Sequence, residues 1–273
     1  MNKQIRRITF IFLAAVFVGS GMLALRQVCY NSAAENAYQQ AQDISSAEPA
    51  PEEPVTPPEE ELPPVVEEED PYSKEPLDES LRFLLEMDLE ELRQTNADVL
   101  GWIHIPDTQL SYPLLQAEDN QTYLNKTWDG VNNSAGSIFL ECKSQPDFSD
   151  FNTLVYGHRM KNGSMFGSLR NYNKQEYLAE HPYVYITTDD RVLRYEIFSA
   201  YEASVVSDTY RLYVEDEETK QAALEHFVSS SVLDSEQVPT TEDHILTLST
   251  CTGTGTYHSR WVVQAMLLDQ WKR

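Results

Sequence analysis

Several things are scarce in this chain of 273 residues, and each absence removes a class of function. Cysteine occurs three times, at Cys29, Cys142 and Cys251, with no CxxC pair. The odd count leaves at least one thiol over within the chain, for which Cys251 is the candidate. The six histidines show no HExxH or related metal-ligand spacing, so neither a structural metal nor a cofactor is expected. There is no GxGxxG, no P-loop and no internal repeat. Basic residues are few, 20 against 44 acidic, for a formal net charge of -24. A chain this acidic, with no basic stripe, is a poor nucleic-acid binder.

The charge is unevenly spread. Ten acidic residues and no Lys or Arg lie between Glu48 and Asp70. Seven prolines, Pro49 to Pro64, fall in the same stretch, removing backbone donors and favouring extended chain. Residues 26–76 therefore read as a disordered acidic linker, reaching about 40 Å as a coil and up to ~140 Å extended. Before it, Ile8 to Leu25 carries no charge and follows Lys3, Arg6 and Arg7. That run is just long enough to span a bilayer. The basic flank predicts residues 1–7 in the cytoplasm and the remainder outside. A cleaved signal peptide would have a shorter apolar region and a small-x-small site, which Leu25-Arg26-Gln27 does not supply.

Residues 77–273 read as one folded domain. Leu77, Leu81, Leu84, Leu85, Leu89 and Leu92 recur at helical spacing. Strand patterns follow at 99–105, 110–115, 136–141, 152–158, 183–187 and 192–201, with Asp189-Asp190 as a hairpin turn. A weak helix is expected over 168–179. A clearer one runs from Asp216 to Ser230, with Ala223, Leu224, Phe227 and Val228 on its apolar side. Many short strands with helices added predict a mainly β fold, barrel or sandwich.

The informative stretch is Ile245 to Cys251. Leu246 and Leu248 alternate with Thr247 and Ser249, the period of a half-buried strand, and Cys251 closes it. After the loop Thr252 to Ser259, a second apolar run begins at Arg260. Antiparallel pairing would set Arg260 beside Cys251. A nearby cation favours the thiolate, and a guanidinium suits an oxyanion formed in acyl transfer. Such a site also needs a proton carrier, for which histidine is suited. His158, at the end of the run from Asn152, is the first choice. His258, in the loop beside Arg260, is its competitor, and His104 reads as a surface or packing residue.

Leu248-Ser249-Thr250-Cys251 with Arg260 downstream, and Tyr156-Gly157-His158 upstream, resemble the signature of sortases, membrane-anchored cysteine transpeptidases of Gram-positive bacteria. Gly101 to Ile105, Tyr112 to Gln116, Tyr123 to Asn125, Gly136 to Phe139 and Ser164 to Phe166 make class B the nearest match. The resemblance implies a closed eight-stranded β-barrel with added helices. It implies Cys251 as nucleophile on a Thr carbonyl in a C-terminal sorting signal. It implies His158 as acid and base, and Arg260 as oxyanion partner. Asn120, Leu124 and Ser249 would line the peptide groove, and Tyr210 aligns more loosely. The partners implied are secreted proteins with a sorting signal and a peptidoglycan amine. Two other readings stay open: a pilin-polymerising enzyme, although Tyr72 is the sole aromatic that could serve as a lid, and a silent wall-binding module. The loop Thr252 to Ser259 departs from the class B pattern in lacking an acidic residue after the cysteine.

Overall fold

The computed structural model describes residues 32–45, 72–73, 76–251 and 258–273, with the backbone alone at Cys251. The apolar run 8–25 and most of the loop Thr252 to Ser259 lie outside the described residues. Among those described, no helix is long and apolar enough to cross a membrane.

The strands are β1 (Val99–His104), β2 (Ser111–Leu115), β3 (Ile138–Leu140), β4 (Asn152–Gly157), β5 (Tyr183–Thr187), β6 (Arg191–Ser204), β7 (Ile245–Cys251) and β8 (Ser259–Lys272). They close into one barrel in the order β1-β2-β3-β4-β7-β8-β6-β5. Closure leaves no edge strand among the described residues. The β5–β6 turn falls at Asp189-Asp190, with the Thr188 amide donating to the Arg191 carbonyl at 2.9 Å. Most neighbours are antiparallel. β2–β3 and β4–β7 are parallel, and the long crossover from β4 to β7 carries β5, β6 and a 14-residue helix.

That helix, here α5 (Glu217–Ser230) after the short α4 (Gln175–Glu180), is capped by Asp216, whose carboxylate accepts from the Thr219 amide at 2.8 Å. Ala223, Leu224 and Phe227 pack on Phe198, Tyr201, Ile245 and Val262 outside the barrel. Burying Phe227 alone contributes roughly 2–3 kcal/mol. Val228, expected on the same face, is 41 % exposed, because the contact stripe is narrower than the spacing suggested.

Three further expectations are corrected. The leucines of 77–92 do not form one helix. They occupy a 3-10 turn (Glu79–Leu81), α2 (Phe83–Glu86) and α3 (Leu89–Thr95). Met87 is extended and Asp88 caps α3 by accepting from the Glu91 amide. A capping side chain placed mid-run restarts the helix there, and Arg273 donates to the carbonyls of Leu85 and Met87 exposed by the break. Second, β7 is not half-buried: Thr247, Ser249 and Thr250 are as enclosed as Leu246 and Leu248. Third, the linker expected over 26–76 holds a helix at 32–45, here α1. Ala34, Tyr38 and Ala41 form its buried stripe. The Trp128 indole donates to the Ala37 carbonyl at 2.7 Å. The stripe is two alanines and a tyrosine, so the surrounding polar composition hid it.

Candidate active site

Three adjacent strands bring the chemistry to one end of the barrel. β4 and β7 are in parallel register from Asn152↔Ile245 to Gly157↔Thr250. The next residues along the two strands are His158 and Cys251. β7 and β8 are antiparallel, and Cys251 is the Cα partner of Arg260. Backbone register thus collects the thiol-, imidazole- and guanidinium-bearing positions expected from the sequence.

Two glycines let the backbone close in at His158. A Cβ on Gly157 would stand 2.8 Å from the Phe166 ring. Gly136 has φ +59°, and a Cβ there would lie 2.7 Å from the Leu124 carbonyl oxygen and 2.8 Å from His158 Cδ2. The His158 ring is held by that same carbonyl, at 2.7 Å from Nε2. A carbonyl oxygen only accepts, so Nε2 carries the proton in this contact.

A cleft of about 310 Å³ opens here, lined by His158, Arg260, Ser249 and Leu124, with Asn120 and Tyr210 further along. All the groove residues implied by the resemblance meet in it. The Tyr210 hydroxyl and Ser249 Oγ are 2.9 Å apart. Arg260 is half-buried, with Nη1 donating to the Ser259 carbonyl at 3.0 Å. Asn120 does not stand alone. Its amide donates to the Glu141 carboxylate at 2.7 Å, and its carbonyl accepts from the Cys142 amide. The Tyr156 hydroxyl donates to the same buried carboxylate at 3.0 Å. Burial, reinforced by Glu141, pushes the Tyr156 phenol well above its usual range. Glu141 and Gly136 were missed as site residues, because each reads in the sequence as part of a strand.

The other histidines are otherwise engaged. His258 is exposed and does not line the cleft. The His181 and His244 rings bond the carbonyls of Pro106 and Asp150. His226 lies on α5 by Ser230. His104 packs edge-on to Phe83. Cys142 donates to Glu141 at 3.3 Å, and burial followed by that carboxylate raises its thiol pKa, so it is a poor nucleophile.

The Sortase domain family matches residues 103–268. Sortase B of Listeria monocytogenes serovar 1/2a is 34% identical over 202 residues, covering 73% of this chain and 81% of that protein. The structure of a Staphylococcus aureus sortase B–substrate complex matches with a TM-score of 0.63 at 31% identity, over 66% of this chain and 84% of that one. Sortase B from Bacillus anthracis in complex with AAEK1 matches with a TM-score of 0.68 at 28% identity, over 89% of this chain and 99% of that one.

Proposed function

The chain belongs to the sortase family as a class B cysteine transpeptidase, and from that premise we propose that it cleaves the C-terminal sorting signal of secreted proteins after a Thr and joins them to an amine of peptidoglycan. The observation that carries the assignment of roles is the register of β4, β7 and β8, which sets His158 and Arg260 on either side of Cys251.

The Cys251 thiolate attacks the Thr carbonyl carbon, and the carbonyl electrons move to oxygen. Arg260 donates to that oxyanion. Collapse breaks the bond to the next residue, and His158 gives a proton to the departing amine. A thioester remains. An incoming amine attacks it, His158 takes the proton from the new ammonium, the carbon–sulfur bond breaks, and the amide leaves, with the Cys251 thiolate and protonated His158 restored. Water in place of the amine gives hydrolysis. Every group in this sequence is a side chain of the chain itself or part of its two substrates.

Asn120, Leu124 and Ser249 bind the signal peptide along the cleft. The existence of a substrate complex of the Staphylococcus aureus sortase B supports a bound substrate of this kind. The apolar run 8–25 is the membrane anchor, with residues 1–7 cytoplasmic and the catalytic domain extracellular, where secreted proteins and wall precursors meet it.

Intact mass spectrometry of the chain with sorting-signal peptides tests this reading. A peptide-sized adduct on the wild type, absent from Cys251→Ala and converted to amide by a short glycine or diaminopimelate amine, is the expected result. Unmodified protein with every peptide would overturn it.

A further inference from the structure

α1 touches the barrel at several points, but one of them leads to the site. Tyr38 is buried, and its hydroxyl donates to the Gly136 carbonyl at 2.5 Å and lies 3.4 Å from Ser137 Oγ. Gly136 is the residue against the His158 ring. Ser137 lines the cleft. Its amide donates to the Tyr123 carbonyl at 2.9 Å, and its hydroxyl to the Lys126 carbonyl at 2.7 Å. Both acceptors flank Leu124, whose own carbonyl holds His158 Nε2.

We propose that Tyr38 is a positioning residue for the transpeptidation: its hydroxyl clamps the Gly136–Ser137 backbone, and through it the frame that fixes the His158 imidazole. The inference rests on the role assigned to His158 above. Packing does not account for the hydroxyl. The Tyr38 ring meets Tyr112 edge-on at 5.0 Å, a contact that phenylalanine would keep. The hydrogen bond to Gly136 is made by the oxygen, which phenylalanine lacks. Burial raises the phenol pKa, so the group stays a donor. Reaction rates are sensitive to small displacements of a proton carrier, so loosening this frame acts on the chemical step more than on peptide binding.

The test uses the full chain in detergent, with Tyr38→Phe and Gln42→Ala compared with wild type. Gln42 donates to the Ser111 carbonyl from the same helix at 3.1 Å, so its loss weakens α1 docking at a different contact. Tyr38→Phe should lower kcat roughly tenfold with KM within about twofold. It should also speed amide hydrogen exchange at Gly136 and Ser137 by a similar factor. Gln42→Ala should leave both quantities near wild type. Equal losses in the two variants would make Tyr38 a mere docking contact and overturn the proposal. So would wild-type kcat and exchange in Tyr38→Phe. If the wild type turns over no sorting peptide, the functional reading has failed by itself, and exchange at Gly136 and Ser137 still decides whether Tyr38 clamps them.

Discussion

Strands β4, β7 and β8 carry polar side chains at two levels, and the two levels do opposite things. At mid-strand, the Thr247 hydroxyl donates to Asn152 Oδ1 at 2.7 Å and accepts from Gln264 Nε2 at 3.0 Å. Asn152 in turn donates to the Thr209 carbonyl at 3.0 Å. All three side chains are sealed from solvent. At the strand ends, His158 and Arg260 border an open cleft. The strands and pairing are the same; what differs is the covering layer. Thr209 and α5 close over the middle. At the end, β4 leaves the sheet after Gly157, and Phe166 turns back to donate its amide to the His158 carbonyl. The Thr247, Asn152 and Gln264 contacts are internal and serve the fold, whereas the groups at the end face a cleft wide enough for a ligand.

If that contrast is right, substitutions at the ends abolish chemistry and leave the fold alone. The largest effect is Cys251→Ala. Transpeptidation should fall by at least roughly 10³-fold with an unchanged thermal midpoint, since the nucleophile is removed and the Cys142 thiol is held protonated. Retained turnover would end the assignment. Arg260→Lys comes next. The charge survives but the fork does not, so thioester formation should slow by roughly 10²- to 10³-fold, about 3–4 kcal/mol, again without loss of stability. Single-turnover mass spectrometry measures it.

The end of the sheet was more legible in the sequence than the middle. Strand β7, its antiparallel partner and the Cys251–Arg260 pairing follow from alternation and one short loop. His158 could be ranked first because a strand pattern ends on it. Alternation also misled. It makes Thr247 and Ser249 a solvent face, because the covering layer comes from 209–230, far away in the chain. Glu141 was invisible for the same reason: a carboxylate at a strand end reads as surface until Asn120 and Tyr156 are seen to converge on it. α1 was lost because composition averages over the Pro- and Glu-rich stretch that follows it.

His104 carries the comparison to the far wall of the barrel. It ends β1, and its Nδ1 is buried without a hydrogen-bond partner. Burial lowers its pKa to about 4. In the unfolded chain an imidazole titrates near ~6.5. Between those values the unfolded state binds the proton and the folded state does not. Stability is therefore full above pH ~6.5 and declines as pH falls, by about 2–3 kcal/mol once pH ~4.5 is reached. Urea unfolding at pH 7 and pH 4.5 should show that loss, and His104→Leu should reduce it. An equal loss in the variant would assign the acid sensitivity to carboxylates instead.

The smallest effect is the most discriminating. Thr247→Val keeps the shape of the side chain and deletes one hydroxyl, which is both a donor and an acceptor. Asn152 Oδ1 and Gln264 Nε2 then lose their partner in a dry interior, at a cost of about 1–3 kcal/mol. For a domain of this size that lowers the thermal midpoint by roughly 2–10 °C. Thr247 is four residues from Cys251 on the same strand, yet kcat at 25 °C should stay within about twofold of wild type. A fall in kcat larger than the fall in stability would mean that the mid-strand network aligns the strand ends, and that the two levels of this sheet are one device.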